Sequence, residues 1–150
     1  MKMVIQRVDE ASVTVNGSVC GKIEKGFLVL LGVGHGDSEA IADKMIKKMT
    51  GLRIFSDENG KTNLSLKDVG GNLLIISQFT LYADCKHGYR PSFTEAGAPD
   101  EAERLYEYVL SECRKEFPDL QHGMFGEHMD VKLQNNGPFT ILLDSEELYG

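Results

Sequence analysis

The stretch Ser12–Cys20, SVTVNGSVC, places two runs of β-formers on either side of Asn16-Gly17. Asn and Gly tolerate the positive φ angles of a type I′ turn, so this dipeptide between β-formers signals a hairpin. A hairpin joins antiparallel strands, and the β-rich stretch that leads into this one starts at residue 3. Beyond the hairpin, Gly26–Val33 (GFLVLLGV) is an unbroken apolar run of strand length, which reads as a strand covered on both faces. The period then changes. In Asp37–Met49, Ile41, Met45 and Met49 lie four apart with Ile46 beside them, while Lys44, Lys47 and Lys48 fall off that stripe. This spacing predicts an amphipathic helix, capped by Asp37 or Ser38 and stopped by Gly51.

Further along, Leu52–Phe55 is short and strand-like, Asp57–Gly60 is a turn, and Asn72–Tyr82 (NLLIISQFTLY) is a second strongly apolar strand. Residues 84–98 have no periodicity but hold Lys86, His87, Tyr89, Arg90 and Phe93. A basic, aromatic-bearing loop in an acidic protein points to a ligand. Pro99 opens a helix to about Phe117, with Ala102, Leu105, Tyr106, Val109, Leu110 and Cys113 on one face and Pro118 just past its end. Two last strands, about 129–134 and 139–143, flank Asn135-Asn136-Gly137-Pro138. Strands outnumber helices and hairpin connections dominate, so the expected class is α+β with a mostly antiparallel sheet.

With 150 residues the chain is expected to form one domain over 1–150. Its 41% hydrophobic and 26% charged residues exclude a disordered or collagen-like chain. No apolar run approaches the ~20 residues of a membrane-spanning helix, and the first residues lack a signal-peptide core, so a cytoplasmic protein without membrane contact is expected. Cys20, Cys85 and Cys113 are odd in number and far apart, which fits reduced, mostly buried thiols better than a disulfide framework or a zinc site. The formal charge of −7 argues against sequence-blind wrapping of nucleic acid, and no DNA partner is expected. It leaves room for a nucleic-acid end held in a local pocket.

Several patterns with chemical meaning fall short. Gly32-Val33-Gly34-His35-Gly36 lies between a strand and a helix, but Asp37 stands where a dinucleotide-binding turn needs its third glycine, so the reading is a tight turn and helix cap. His122, Glu127 and His128 do not form the helical H-E-x-x-H, and no metal is expected. There is no G-x-S-x-G elbow, and His35 and His87 sit in no triad context, so catalysis here would lean on backbone donors. Two segments stand out. Ser77-Gln78-Phe79-Thr80-Leu81 puts polar and aromatic side chains at the end of an aliphatic strand, which fits either a site or a strand surfacing with Phe79 and Leu81 as core. Gly137-Pro138 pairs a glycine with a residue of fixed φ; on residue chemistry alone it is an ordinary turn.

Together these segments resemble the D-aminoacyl-tRNA deacylase (D-tyrosyl-tRNA deacylase) family of the widespread bacterial and eukaryotic type. The resemblance is carried by Val4-Ile5-Gln6-Arg7-Val8 with Ala11–Val15, Gly51-Leu52-Arg53-Ile54-Phe55, Ser77–Asp84, Arg90-Pro91-Ser92-Phe93 and Asn136-Gly137-Pro138, in order along nearly the whole chain. It implies a barrel-like core with two main helices, a homodimer, and cofactor-free hydrolysis of the ester joining a D-amino acid to the 3′ end of tRNA, a chiral proofreading step of translation. By the same resemblance Ser77, Gln78, Phe79 and Thr80 form the catalytic segment. Gly137-Pro138 is implied to be cis and to enter the partner's active site, with Arg7 holding it in place. Such a turn would aim carbonyl oxygens at the substrate's α-ammonium and fill the space an L side chain needs, so chirality is selected by exclusion. A filter of that kind passes glycyl-tRNA.

For the reaction, backbone N–H groups around Phe79 and Thr80 are expected to stabilise the oxyanion while the tRNA's terminal 2′-hydroxyl assists attack. Thr80 is the alternative nucleophile, though no base stands beside it in sequence. The chain departs from the family pattern at Phe139, where Val is usual, and at Met124, where a basic residue is usual. Other readings are a related deacylase with a trans Gly-Pro pair that removes a small L-amino acid, and a non-catalytic nucleic-acid-binding module using Lys86, His87 and Arg90. A purely structural dimer leaves the polar strand end unexplained.

Overall fold

The computed structural model describes residues 1–150. Strand β1 (Lys2–Val15) organises the sheet. Its alternate residues Met3, Ile5, Val13 and Val15 are buried, as a strand with period 2 requires. The Asn16-Gly17 turn takes positive φ at both residues, and β2 (Ser18–Ile23) returns antiparallel along β1. Strand β3 (Gly26–Gly32) then continues on the same edge, from Val8↔Gly26 to Lys2↔Gly32. The hairpin is therefore one long arm whose returning strand is broken at Glu24-Lys25. The opposite edge of β1 pairs with β8 (Asp130–Asp144), from Lys2↔Asp144 to Thr14↔Asp130.

The two most apolar stretches pair differently from the hairpin. Strands β3 and β6 (Asn72–Ser77) run parallel, and β7 (Gln121–His122) joins β6 in parallel too. A parallel pair needs a crossover, and the chain supplies it with α1 (Glu39–Gly51) and the small hairpin β4 (Phe55–Ser56) and β5 (Thr62–Leu64). The sheet is thus mixed, its antiparallel part being built around β1. Residues on both faces of the parallel pair are buried: Phe27, Val29, Leu31, Leu73 and Ile75 lie in the large core with the helices, while Leu28, Leu74 and Ile76 join Val8, Ala11, Val13 and Ile23 in a second cluster. That second cluster fills the inside of a curl. Strand β2 folds back toward β7 so closely that a Cβ at Gly21 would stand 2.9 Å from the His122 carbonyl oxygen and 3.2 Å from the Leu74 side chain. The sheet nearly closes into a barrel.

Helix α1 is capped by Ser38, whose Oγ accepts from the Ile41 amide at 3.3 Å; Ala42, Met45 and Met49 face the core. Asp37 is not the cap. Its carboxylate accepts from the Gly34 amide and from the Met1 ammonium, each at 2.7 Å, and Ser145 Oγ takes a second hydrogen bond from that ammonium. Helix α2 (Pro99–Arg114) buries the face read from sequence and ends three residues before Phe117, which turns back into the core. A short α3 (Ser145–Tyr149) follows β8. No helix is long and apolar enough to cross a membrane.

Three expectations are corrected. The strand from Asn72 ends at Ser77, and Phe79–Tyr82 is a single 3₁₀ turn. The two C-terminal strands are one strand, β8, with an outward bulge at 136–139, because β1 offers a continuous edge. Of the cysteines only Cys113 is buried; Cys20 and Cys85 are exposed.

Burial, reinforced by the carboxylates of Glu116 and Glu112, pushes the Cys113 thiol up to about 12. A disulfide reagent at about pH 8 is therefore expected to modify Cys20 and Cys85 in the native protein and Cys113 only after unfolding. Closure of the curl is checked by Gly21→Val, expected to cost about 1–3 kcal/mol in urea unfolding because the new side chain meets backbone.

Candidate active site

The site begins where β6 ceases to be a strand. The Gln78 amide makes the last ladder bond, to Leu31 O at 2.7 Å, and the chain then coils through Phe79–Tyr82. Leu81 N reaches back to Gln78 O and Ala83 N to Thr80 O. In a 3₁₀ turn the leading amides have no carbonyl inside the helix to bond, which leaves the Phe79 and Thr80 N–H groups without an intrahelical acceptor.

Glycines seat this turn. A Cβ at Gly32 would lie 3.1 Å from both Gln78 O and the Leu81 side chain, and one at Gly34 would lie 2.7 Å from the Tyr82 ring. The Gly32–Gly36 motif is accounted for by this close approach and by the tight turn at Gly36, whose φ is +81°. From above, Lys2 Nζ lies 4.8 Å over the Tyr82 ring and reaches Leu81 O at 3.4 Å. Burial, then the carboxylates of Asp37, Asp144 and Glu146, raise the Tyr82 hydroxyl above its ordinary range, so it stays neutral.

Thr80 is held from one side only. Gln78 Nε2 donates to Thr80 Oγ1 at 2.6 Å, which leaves the hydroxyl proton for another acceptor. No imidazole or carboxylate is hydrogen-bonded to Thr80 Oγ1, so the geometry provides no base to activate it. Phe79 is 57% exposed and meets Phe93 edge-on, with ring centroids 5.0 Å apart. The alternative of Phe79 as a core residue is set aside by that exposure.

Ser77, Gln78 and Phe79 form one wall of a cavity of about 850 Å³. The end of β3 (Leu31, Val33) and the start of α2 (Pro99, Ala102, Tyr106) form two more, and Phe125–Met129 closes the far side. Small residues at Ala96, Gly97, Ala98 and Ala102 leave the space open. Its lining is mostly apolar, with His35, Ser77, Gln78, Thr94, Glu127 and His128 as the polar groups, the mix that binding pockets for organic ligands show. The buried Tyr106 hydroxyl donates to Ile75 O at 2.8 Å, and burial raises it well above its usual range. His35 Nε2 lies 2.8 Å from Thr94 O; a carbonyl only accepts, so the ring donates from Nε2 and keeps Nδ1 free. His122, Glu127 and His128 do not come together as a set of three ligands that could hold a metal.

Arg7, Gly137 and Pro138 are not at this cavity. Between Gln6↔Thr140 and Val8↔Asn135 the β1–β8 register jumps, and residues 136–139 bulge outward. Gly137 and Pro138 are exposed, and the peptide joining them is cis. Arg7 grips the bulge: Nε donates to Asn136 O at 3.0 Å, Nη2 to Asn136 Oδ1 at 3.2 Å and Nη1 to Ile54 O at 2.6 Å. Asn135 closes it from within, donating to Arg7 O and Phe139 O and accepting from the Phe139 amide at 3.0 Å. Phe139, a departure from the expected Val, has its ring centroid 4.5 Å from the Arg7 guanidinium carbon. The larger ring thus gives Arg7 a further contact. Met124, the other departure, is an exposed neighbour of the cavity residue Phe125.

Sequence reading did not pick out Asn135, Tyr106, Phe125 or Met129 as site residues. Asn135 resembled any turn asparagine, and the others are apolar or aromatic residues whose role depends on what folds against them.

A family model described as D-Tyr-tRNA(Tyr) deacylase matches residues 4–144. A D-aminoacyl-tRNA deacylase of Thermosipho melanesiensis is 51% identical over 150 residues, covering 99% of this chain and 100% of that protein. One of Clostridium acetobutylicum is 50% identical over 149 residues with the same coverage. Among solved structures, a c-Myc DNA Unwinding Element Binding Protein superposes with a TM-score of 0.91 at 39% identity, covering 96% of this chain and 98% of that one. A probable eukaryotic D-amino acid tRNA deacylase shares the fold with a TM-score of 0.81 at 16% identity, covering 95% and 97%.

Arg7→Lys keeps the charge but cannot hold Asn136 O, Asn136 Oδ1 and Ile54 O in one plane. Hydrogen exchange at the Phe139 amide is expected to accelerate about tenfold, the equivalent of one or two net hydrogen bonds.

Proposed function

The chain belongs to the D-Tyr-tRNA(Tyr) deacylase family, and from that membership we propose how its cavity and its exposed turn share the work. The protein is a D-aminoacyl-tRNA deacylase, a hydrolase. In our reading the aminoacylated 3′-terminal nucleoside enters the cavity with its ester carbonyl at the Phe79–Thr80 amides. The observation that carries this is the pair of leading amides in the Phe79–Tyr82 turn, which lack an intrahelical acceptor beside an apolar cavity. Such donors are aimed before the reaction and stabilise the oxyanion as it forms.

The attacking oxygen comes from water. It adds to the ester carbonyl carbon, the bond from that carbon to the ribose oxygen breaks, and the leaving oxygen takes a proton, releasing the D-amino acid and tRNA. Because Thr80 Oγ1 has no base beside it, the neighbouring ribose 2′-hydroxyl orients the water, and the free Thr80 proton is a donor to substrate. The apolar, aromatic walls suit the adenine and the amino-acid side chain.

Chiral selection falls to Gly137-Pro138. The turn is exposed, braced by Arg7 and Asn135, and absent from its own chain's cavity, so the arrangement supports a homodimer in which it enters the partner's cavity. There it occupies the volume of an L side chain, and glycyl-tRNA, which has no side chain, passes.

Incubation with D-tyrosyl-tRNA and L-tyrosyl-tRNA is expected to cleave the D ester alone; equal survival of both by a folded protein would sink the reading. Thr80→Ala is expected to retain most activity, whereas a tRNA lacking its terminal 2′-hydroxyl is expected to lose about 100-fold or more in rate, and the reverse pattern would make Thr80 the nucleophile. Glycyl-tRNA is expected to be hydrolysed at high enzyme concentration.

A further inference from the structure

We propose that the tip of the loop between Asp84 and Ser92 binds backbone phosphates of the single-stranded acceptor end of the tRNA, outside the cavity that takes the ester. The inference rests on the functional reading above and adds a second contact surface to it. The loop is built into the cavity rim. Asp84 N donates to Ser92 O at 2.7 Å and Ser92 N to Asp84 O at 2.9 Å, which closes its base. Immediately after, Phe93 meets Phe79 edge-on and Thr94 O accepts from His35, so the stem is tied to the wall that holds the catalytic segment.

Charge is segregated within the loop. The tip carries Lys86, His87 and Arg90 and no acid, while Asp84 and Glu95 lie at the stem. Asp84 is already engaged, its Oδ1 accepting from the Lys86 amide at 3.0 Å. The side chains of Lys86, His87 and Arg90 are exposed and make no ion pair or hydrogen bond within the chain. Arg7, Arg53 and Arg104, by contrast, have partners, while Arg114 at the end of α2 stands alone rather than in a cluster. In a chain of net charge −7, this gathers unpartnered cations on a loop that runs directly into the cavity residues Phe93 and Thr94. The cavity lining itself holds exposed Glu127 and His128 side by side, with no cluster of cations there to take a phosphate strand. An ester seated in the cavity therefore directs the preceding phosphates over the loop. Each phosphate neutralised by Lys or Arg releases a counterion and adds about 0.7–0.9 to the salt slope of binding.

The test compares wild type with Lys86→Ala/Arg90→Ala on two substrates: D-tyrosyl-tRNA, and 3′-O-(D-tyrosyl)adenosine, which has no phosphate. On the tRNA the variant is expected to raise KM about tenfold with kcat unchanged, and to flatten the plot of log kcat/KM against log salt by about 1.5. On the adenosine ester the two proteins are expected to be equal. Lys47→Ala/Lys48→Ala, the same charge change at the far end of α1, is expected to leave the slope as in wild type. An unchanged slope in Lys86→Ala/Arg90→Ala, an equal loss on both substrates, or the same flattening in the α1 control would overturn the proposal. Should wild type cleave neither ester, the functional reading fails and the loop inference goes with it. Cleavage of both with no difference between the proteins removes the loop inference alone.

Discussion

Without side chains at Gly32 and Gly34, the Phe79–Tyr82 turn rests directly on the end of β3. A Cβ at Gly34 would stand 2.7 Å from the Tyr82 ring, closer than carbon atoms pack. The two glycines thus leave room for the chain after Ser77 to leave the sheet and coil against β3. The coil frees the amides of Phe79 and Thr80, turns the Phe79 ring outward to Phe93, and sets one wall of the cavity. Tyr82 in turn sits under Lys2 and near Asp37, whose carboxylate ties the Gly34 amide to the Met1 ammonium. The start of β1, the β3–α1 turn and the Phe79–Tyr82 turn are therefore one packed unit.

The same economy of contacts explains the sheet. Strand β1 pairs along its whole length, so its two edges define both the curl and the bulge. The β2 side folds over to enclose the second cluster, with Gly21 allowing β2 to approach β7. On the β8 side, Asn135 and Arg7 replace the missing ladder bonds across 136–139, so the outward turn is braced where a plain bulge would be loose. A turn carried on a rigid strand is positioned more sharply than one on a free loop.

Much of this was legible from local chemistry. Asn16-Gly17 made the hairpin, Ile41, Met45 and Met49 marked α1, and Pro99 opened α2, because backbone preference and side-chain period act over a few residues. The end of β6 was not legible, since Phe79, Leu81 and Tyr82 are good strand residues and only the approach of β3 bends them away. Nor was the parallel pairing of β3 with β6: an apolar run shows that both faces are covered but not the direction of its neighbour. Asn135-Asn136-Gly137-Pro138 favour a turn by residue chemistry, yet β1 pairs on both sides of them and keeps one strand.

At the site, local residue chemistry fixes the types of group present: a polar and aromatic strand end at Ser77–Thr80, a Gly-Pro turn at 137–138, and an arginine at position 7. Family resemblance, carried by those residues, also assigned them to one reaction. Tertiary structure decided where they stand. It joined Arg7 to Asn136 across 129 positions of chain, put Phe139 under the guanidinium, and separated both from the cavity of their own chain. The physical reason is that residue chemistry and short-range period are properties of neighbours in sequence, whereas the volume of a cavity and the partner of a guanidinium depend on which distant surfaces the core brings within a few ångströms.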